Sequence, residues 1–127
     1  KADDNVELVA MADAFEDRLE KAHTSLSKMF GSTDKMNVKP SHKFVGFGSY
    51  KKAIDVADVV ILTTPPGFRP QHFEYAIAQD KHVFMEKPVA TDVPGIKKVL
   101  ATARKADEKK LNVVVGLQRH YQLNYNL

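Results

Sequence analysis

Glu86, Lys87 and Pro88 directly follow a short apolar run, residues 82–85, that is typical of a buried strand. Packing alone explains a lysine at the end of such a strand poorly, because lysine is rarely buried without a partner. α/β proteins bind ligands at the carboxyl ends of their parallel strands. At that edge the Lys87 ammonium could hydrogen-bond a substrate oxygen and polarise it. The alternative is a lysine that extends along the rim of the sheet to water.

Polar or conformationally restricted residues also end the predicted strands at residues 6–12, 59–63 and 113–117. They are Asp13, Thr63, Thr64, Pro65, Gln118 and Arg119. All strands of a parallel sheet run the same way, so their carboxyl ends share one edge. We therefore expect these residues to line one binding crevice together with Glu86 and Lys87.

Each candidate also has a plainer interpretation. An acidic residue that ends the second strand of a dinucleotide-binding fold binds both hydroxyls of the adenosine ribose, and its charge favours NAD over NADP. Asp13 could instead cap the following helix. The loop that begins at Thr64 could lie along a cofactor or simply terminate its strand, since its two prolines cannot donate to a sheet. His72 is more often a satisfied histidine than a ligand, and Arg119 could mark only the exit from the domain.

Apolar runs alternate with helical patterns along the chain. Strands are predicted at residues 6–12, 44–47, 59–63, 82–85 and 113–117, and helices at residues 15–30, 49–54, 70–78 and from 93 onward. Ser49 and Asp92 are predicted to cap their helices, and Pro70 suits a first helical turn. The strands are continuous apolar runs, so both faces of the sheet should be buried. The order predicts an α/β fold with a doubly wound parallel sheet.

The predicted helices also have apolar faces with helical spacing. These faces are Phe15, Leu19, Ala22, Leu26 and Met29 in the first helix; Phe73, Ala76 and Ile77 in the third; and Val93, Ile96, Val99, Leu100 and Ala103 in the fourth. Each face is expected to pack against the sheet.

Composition excludes several classes of function. The 127 residues carry a net charge of +3, too small and too evenly spread to indicate a nucleic-acid partner. There is no cysteine, and no apolar run approaches the roughly 20 residues of a membrane span. No spacing of side chains suggests a metal site. The start of the chain reads like an internal loop, so we expect a piece of a longer protein.

The motifs together closely resemble the glucose–fructose oxidoreductase / inositol dehydrogenase (Gfo/Idh/MocA) family, whose members are nicotinamide-dependent enzymes of sugars and cyclitols. Residues 57–66, His72 and residues 81–90 carry the resemblance, which runs from about residue 6 to 121. It implies that Asp13 binds the adenosine ribose, that Thr63, Thr64 and Pro65 lie along the cofactor, and that His72 is the family's usual histidine. Glu86 and Lys87 would lie near the nicotinamide ribose and the reacting carbon, and Gln118 and Arg119 would face the nicotinamide.

The chain departs from the family pattern in two respects. Pro66 stands where an asparagine is usual, so any contact of that side chain is lost. The family's first strand with its glycine-rich phosphate loop should precede Lys1, and a second α/β domain should follow, with residues after about 120 beginning the exit toward it. We therefore expect residues 1–127 to be a partial Rossmann-like dinucleotide-binding domain that is inactive alone. The pattern Gly46-Phe47-Gly48 does not replace the missing loop.

The resemblance implies an NAD-dependent oxidoreductase that acts on a sugar, a cyclitol or a related secondary alcohol, with Lys87 as the catalytic residue and NADP a weaker choice of cofactor. Two alternatives stay open: an NAD-dependent glycoside hydrolase of the same family, and a non-catalytic nucleotide-binding or assembly module. We expect the full-length protein to be a dimer or tetramer without nucleic-acid or membrane partners. A cytoplasmic location is the default, and a periplasmic one is left open.

Overall fold

The computed structural model describes residues 5–31 and 34–125. The chain divides into two compact units, residues 1–57 and residues 58–127, and each is considered by itself. Both units are built from parallel strands joined by helices. The strands therefore form two separate parallel sheets among the described residues, where the sequence predicted one.

The described residues of the first unit form two short strands and two helices. They are β1 (Met11–Asp13), α1 (Glu16–Phe30), β2 (Lys43–Val45) and α2 (Ser49–Asp55), with a single 3-10 turn at Pro40–His42 before β2. β1 and β2 pair in parallel, with Asp13 opposite Val45. Asp13 thus ends its strand as predicted.

The buried strand predicted at residues 6–12 is wrong in extent and in burial. Only the segment from Met11 is a strand, Val6 is 56% exposed, and Leu8 forms an isolated bridge with Met36. The cause is the loop that follows α1. The main chain of Leu8 donates to Lys35 and accepts from Asn37, so this stretch pairs with the loop.

The first helix lies where the sequence predicts it, but only part of its predicted apolar face is buried. Leu19 is buried, whereas Phe15 is 59% and Met29 is 72% exposed. A helix of 15 residues spans about 22 Å, while the three-residue strands beside it span about 10 Å. The small sheet therefore covers only part of the helix. Ser49 is wrong as a cap, because it is the first residue of α2 and its hydroxyl donates to the main-chain oxygen of Asp13 at 3.4 Å.

The second unit is a three-stranded parallel sheet with two long helices. Its elements are β3 (Val59–Leu62), α3 (Arg69–Ala78), β4 (His82–Glu86), α4 (Val93–Glu108) and β5 (Val113–Gly116), followed by 3-10 turns at Gln118–Tyr121 and Leu123–Tyr125. The strand order is β3-β4-β5, so each helix is a crossover between neighbouring strands. Leu62 pairs with Met85, and Glu86 pairs with Gly116.

One face of this sheet is buried and the other is not, so the prediction that both faces are buried is wrong. Val60 and Met85 are buried, whereas Val59 and Ile61 are 57% and 65% exposed. The strand order explains the difference. Two successive right-handed crossovers in one direction place both helices on the same face, and α3 and α4 do pack against each other.

The two helices of the second unit differ in how well the sequence predicted them. Phe73, Ala76 and Ile77 of α3 are all buried, as expected. In α4 the buried residues are Val99, Thr102 and Ala106, while Val93, Ile96 and Leu100 of the predicted face are exposed. Small side chains allow α4 to lie close to α3, and the larger neighbours are left on its outer side. The cap at Asp92 is confirmed, since its Oδ1 accepts the N–H of Gly95 at 2.7 Å.

Candidate functional site

Lys87 directly follows β4 at the carboxyl edge of the sheet in the second unit. Its side chain is exposed, and the described residues offer it no hydrogen bond or ion pair. The peptide bond between Lys87 and Pro88 is cis. The ammonium is therefore available to a ligand at the edge that the sequence predicted.

An open cleft of about 490 Å³ lies beside Lys87. It is lined by Lys87, Leu117, Gln118, Arg119, His120 and Tyr125. Arg119 donates to the hydroxyl of Tyr125 at 2.7 Å, and its guanidinium lies 5.2 Å from the centre of that ring. The structure thus brings together three of the predicted site residues, Lys87, Gln118 and Arg119, from the ends of two neighbouring strands.

Glu86 points away from solvent toward the next strand. It is half-buried, and its carboxylate lies close to Gly116, its partner across the sheet. The Glu86 carboxylate also raises the pKa of the neighbouring Arg69 guanidinium, against the larger effect of burial, which lowers it. Glu86 is therefore placed beside a cation on the inner side of the same edge.

Thr64 and His72 are joined by a hydrogen bond. Oγ1 of Thr64 lies 3.2 Å from Nδ1 of His72, which is 6% exposed on α3. Burial lowers the pKa of His72, and the positive charge of Arg69 lowers it further, so this histidine is neutral at pH 7. Thr63 and Pro65, on either side of Thr64, are exposed. The neutral imidazole thus fixes the loop that the sequence assigned to a cofactor.

Arg69 is the residue that sequence reasoning missed. It is 1% exposed, and its guanidinium donates to the main-chain oxygens of Thr64, Glu86 and Pro88. The available signal was its position in the first turn of α3, since a cation there opposes the helix dipole. An arginine in that position needs a partner elsewhere in the fold.

Asp13 lies in the first unit, at the end of β1. Its Oδ1 accepts the N–H of Phe15 at 3.0 Å, just before α1 begins, so it supports the start of that helix. Its Oδ2 has no hydrogen bond within residues 5–31 and 34–125. That oxygen is available to a ligand hydroxyl. Whether Asp13 joins Lys87 at one crevice stays a prediction.

The described residues contain neither a cluster of metal-binding side chains nor a helix able to span a membrane. No group of three or more histidine, cysteine, aspartate or glutamate side chains could hold a metal ion there. None of the helices in those same residues is long and apolar enough to cross a membrane. The chemistry available at the edge of the sheet is hydrogen bonding by an exposed ammonium and by polar side chains.

This combination of parallel strands, crossover helices and polar strand ends is that of a Rossmann-like nucleotide-binding protein. The chain belongs to the oxidoreductase family with an NAD-binding Rossmann fold, Gfo/Idh/MocA, whose family model matches residues 1–116. The resemblance found from the sequence is thereby confirmed.

Individual relatives agree with this family. The chain is 32% identical over 95 residues to inositol 2-dehydrogenase of Acidiphilium cryptum (strain JF-5), a match that covers 75% of this chain and 28% of the relative. Its fold is similar to that of scyllo-inositol dehydrogenase from Lactobacillus casei with bound NAD(H) and scyllo-inositol, with a TM-score of 0.69 at 22% identity over 97% of this chain and 33% of that one. Myo-inositol 2-dehydrogenase from Lactobacillus plantarum is similar as well, with a TM-score of 0.68 at 23% identity over 97% and 32% of the two chains. The chain thus spans about a third or less of the length of these proteins.

Proposed function

We propose that this chain is the NAD-binding part of a dehydrogenase that oxidises a secondary alcohol of a cyclitol or sugar. The observation that carries the proposal is the exposed Lys87 at the end of β4, beside a cleft that Gln118 and Arg119 also line. In this role Lys87 donates a hydrogen bond to the substrate oxygen and stabilises the negative charge that develops there as the hydroxyl proton passes to water in the open cleft. The inositol dehydrogenases among the relatives support a polyhydroxylated substrate.

Several residues of the chain suit a bound dinucleotide. Asp13 keeps one carboxylate oxygen for the ribose hydroxyls, and its charge favours NAD over NADP, whose 2′-phosphate it would repel. Thr63, Thr64 and Pro65 form the loop that would lie along the cofactor, with His72 fixing Thr64. Glu86 accompanies Lys87 at the nicotinamide end, where NAD supplies the hydride acceptor when it is bound. We further propose that residues after about 120 lead toward a substrate-binding domain.

The proposal is tested with the full-length protein, NAD and a panel that contains myo-inositol, scyllo-inositol and glucose. NADH formation is followed by its absorbance, and the NAD dissociation constant is measured by calorimetry. Replacing Lys87 by alanine should lower turnover by about 10² or more, the usual effect of removing one donor to an oxygen on which negative charge develops. NAD binding should change little, because Lys87 acts on the substrate oxygen.

Lys97→Ala is the matched control, since Lys97 is an exposed lysine on α4 outside the cleft. It should leave both quantities unchanged. Equal loss of turnover and NAD binding in Lys87→Ala would make Lys87 a structural lysine and contradict the proposal. Net hydrolysis of a glycoside without NADH release would identify the glycoside hydrolase alternative, and absence of both NAD binding and turnover would identify a non-catalytic module.

A further inference from the structure

Arg69 connects the ends of β3 and β4 through main-chain oxygens only. One terminal nitrogen, Nη1, donates to Glu86 and to Pro88, the latter at 2.7 Å. The other, Nη2, donates to Thr64 just beyond β3. The two carbonyls bound by Nη1 belong to the residues immediately before and after Lys87. The main chain is therefore held on both sides of Lys87 by a single group.

The burial of the Arg69 guanidinium costs free energy. A charged group removed from water is costly unless hydrogen bonds compensate it, and Nε of Arg69 is buried without any partner among the described residues. A hydrophobic side chain at the start of α3 would avoid that cost. The guanidinium is thus poorly explained by packing and well explained by the carbonyl oxygens that it binds.

Lysine could not make the same contacts. A guanidinium is planar and presents its donors in a fixed fork, whereas an ammonium is a point charge on a flexible stem. The fork of Arg69 reaches carbonyls on two different strand ends at once. The side chain of Thr64, one of these two ends, is in turn hydrogen-bonded to His72.

We propose that Arg69 is a positioning residue that holds the main chain on both sides of Lys87 against the end of β3, so that the lysine ammonium keeps one geometry. The inference rests on the proposed function of Lys87 and deepens it. Arg69 itself is 1% exposed and does not reach the cleft, so it acts through Lys87. A shift of the lysine by about 1 Å can lower turnover a hundredfold.

The test is a double-mutant cycle in the full-length protein, with turnover of NAD and whichever panel alcohol is oxidised fastest. Arg69→Lys keeps the positive charge but loses the fork, and it should lower kcat about tenfold or more while the KM for NAD stays within about threefold. In a Lys87→Ala background, Arg69→Lys should lower kcat by less than about twofold, because the effect of Arg69 on kcat passes through Lys87. Arg104→Lys, at an exposed arginine of α4, is the control and should change neither background.

A merely structural arginine gives a different result. It would lower turnover by the same factor with and without Lys87, and that additivity would overturn the proposal. Chemical rescue of kcat by added guanidinium ions is a further test of the proposal. Guanidinium ions added to Arg69→Ala should restore part of the lost kcat only when Lys87 is present. Equal rescue of kcat in the double variant Arg69→Ala with Lys87→Ala would contradict a positioning role.

Hydrogen exchange distinguishes this inference from the proposed function. Arg69→Met should raise amide exchange about tenfold in peptides covering residues 63–68 and 86–91 and leave residues 97–108 unchanged, because opening is local to the released strand ends. This result supports the positioning role even if none of the alcohols is oxidised. A uniform rise across residues 58–116, or no rise at all, would overturn it. If Arg69→Met does not fold, Arg69→Lys serves for the same measurement.

Discussion

The carboxylate of Glu86 lies beside Gly116, its partner across β4 and β5. A Cβ on Gly116 would lie 2.9 Å from Oε1 of Glu86 and 3.0 Å from its Cδ, closer than side chains normally approach. The glycine therefore decides where the carboxylate next to Lys87 rests. The end of β5 thus takes part in the site through the small size of Gly116 as well as through the side chains of Gln118 and Arg119.

Gly116→Ala should affect the site more than the fold. The three atoms nearest to the new methyl group belong to the end of a flexible side chain, so the free energy of unfolding should change by no more than about 1 kcal/mol. The displaced carboxylate should weaken NAD binding by several-fold, because Glu86 is proposed to lie at the nicotinamide end. Chemical denaturation and calorimetric titration with NAD in the full-length protein measure the two effects.

Gly48→Ala is the control for that substitution, since a Cβ on Gly48 would meet nothing within 4 Å. It should leave NAD binding unchanged. A Gly116→Ala protein that binds NAD as the wild type does would show that the position of the Glu86 carboxylate is unimportant. A loss of stability well above 1 kcal/mol would show that the strands, and not the carboxylate, must move.

The sequence predicted best what depends on neighbouring residues. The cap at Asp92, the proline in the first turn of α3 and the buried face of Phe73, Ala76 and Ile77 all follow from local patterns, and all are confirmed. The position of Lys87 directly after an apolar strand is also a local signal, and Lys87 does follow β4, while its role stays a prediction. These features need no knowledge of which elements meet in space.

The features that were missed depend on tertiary arrangement. The exposure of Val59 and Ile61 follows from two helices on one face, which strand hydrophobicity cannot reveal. The place of Arg69 in the first turn of α3 indicates only that its charge opposes the helix dipole, and only the fold brings the main-chain oxygens of Glu86 and Pro88 to it. The mistaken face of α4 has the same origin, because packing on α3 selects small residues.

His72 should make the stability of the protein depend on pH. Its pKa in the folded state lies below the ordinary value of about 6.5, because burial and then the charge of Arg69 disfavour the imidazolium. As the pH falls below about 6.5, the unfolded chain binds a proton at this histidine that the folded chain does not, so the free energy of unfolding decreases. One such group contributes at most about 1.4 kcal/mol per pH unit, and nothing above about pH 7.5.

The measurement compares urea unfolding of the wild type and of His72→Gln at pH 7.5, 6.5 and 5.5, spanning the ordinary titration range of about 6.5. Glutamine can still hydrogen-bond Thr64 but does not titrate. The wild type should lose more stability than the variant between pH 6.5 and 5.5, and the two should run in parallel above that range. Identical slopes at all three values would mean that His72 takes up its proton equally well in the folded state.

Asp92 should stabilise the start of α4. Its carboxylate accepts the N–H of Gly95, one of the donors that a helix start leaves unpaired, and removing such a cap costs about 1 kcal/mol. Asp92→Ala should therefore lower the free energy of unfolding by that amount. Asp107→Ala is the matched control in the last turn of the same helix, where the dipole disfavours a carboxylate, and it should be neutral or gain about 0.3 kcal/mol. Equal losses in both variants would contradict a capping role.

Lys110 ends α4 in a conformation that favours glycine. Its φ is +58°, and the turn is closed by hydrogen bonds from its own N–H to Asp107 at 3.0 Å and from Leu111 to Ala106 at 2.9 Å. This pair of bonds is the Schellman motif, whose left-handed residue is usually glycine. Lysine in that conformation carries a steric cost of about 1 kcal/mol or more from its Cβ.

Lys110→Gly should therefore stabilise the protein by about 0.5–1 kcal/mol, the relief of that strain less the greater flexibility of glycine in the unfolded chain. Lys97→Gly, in the middle of the same helix, is the control and should destabilise by about 1 kcal/mol. Denaturant midpoints of the three proteins give the comparison directly. If both glycine variants are destabilised alike, Lys110 does not hold its left-handed conformation in solution, and the end of α4 lies elsewhere.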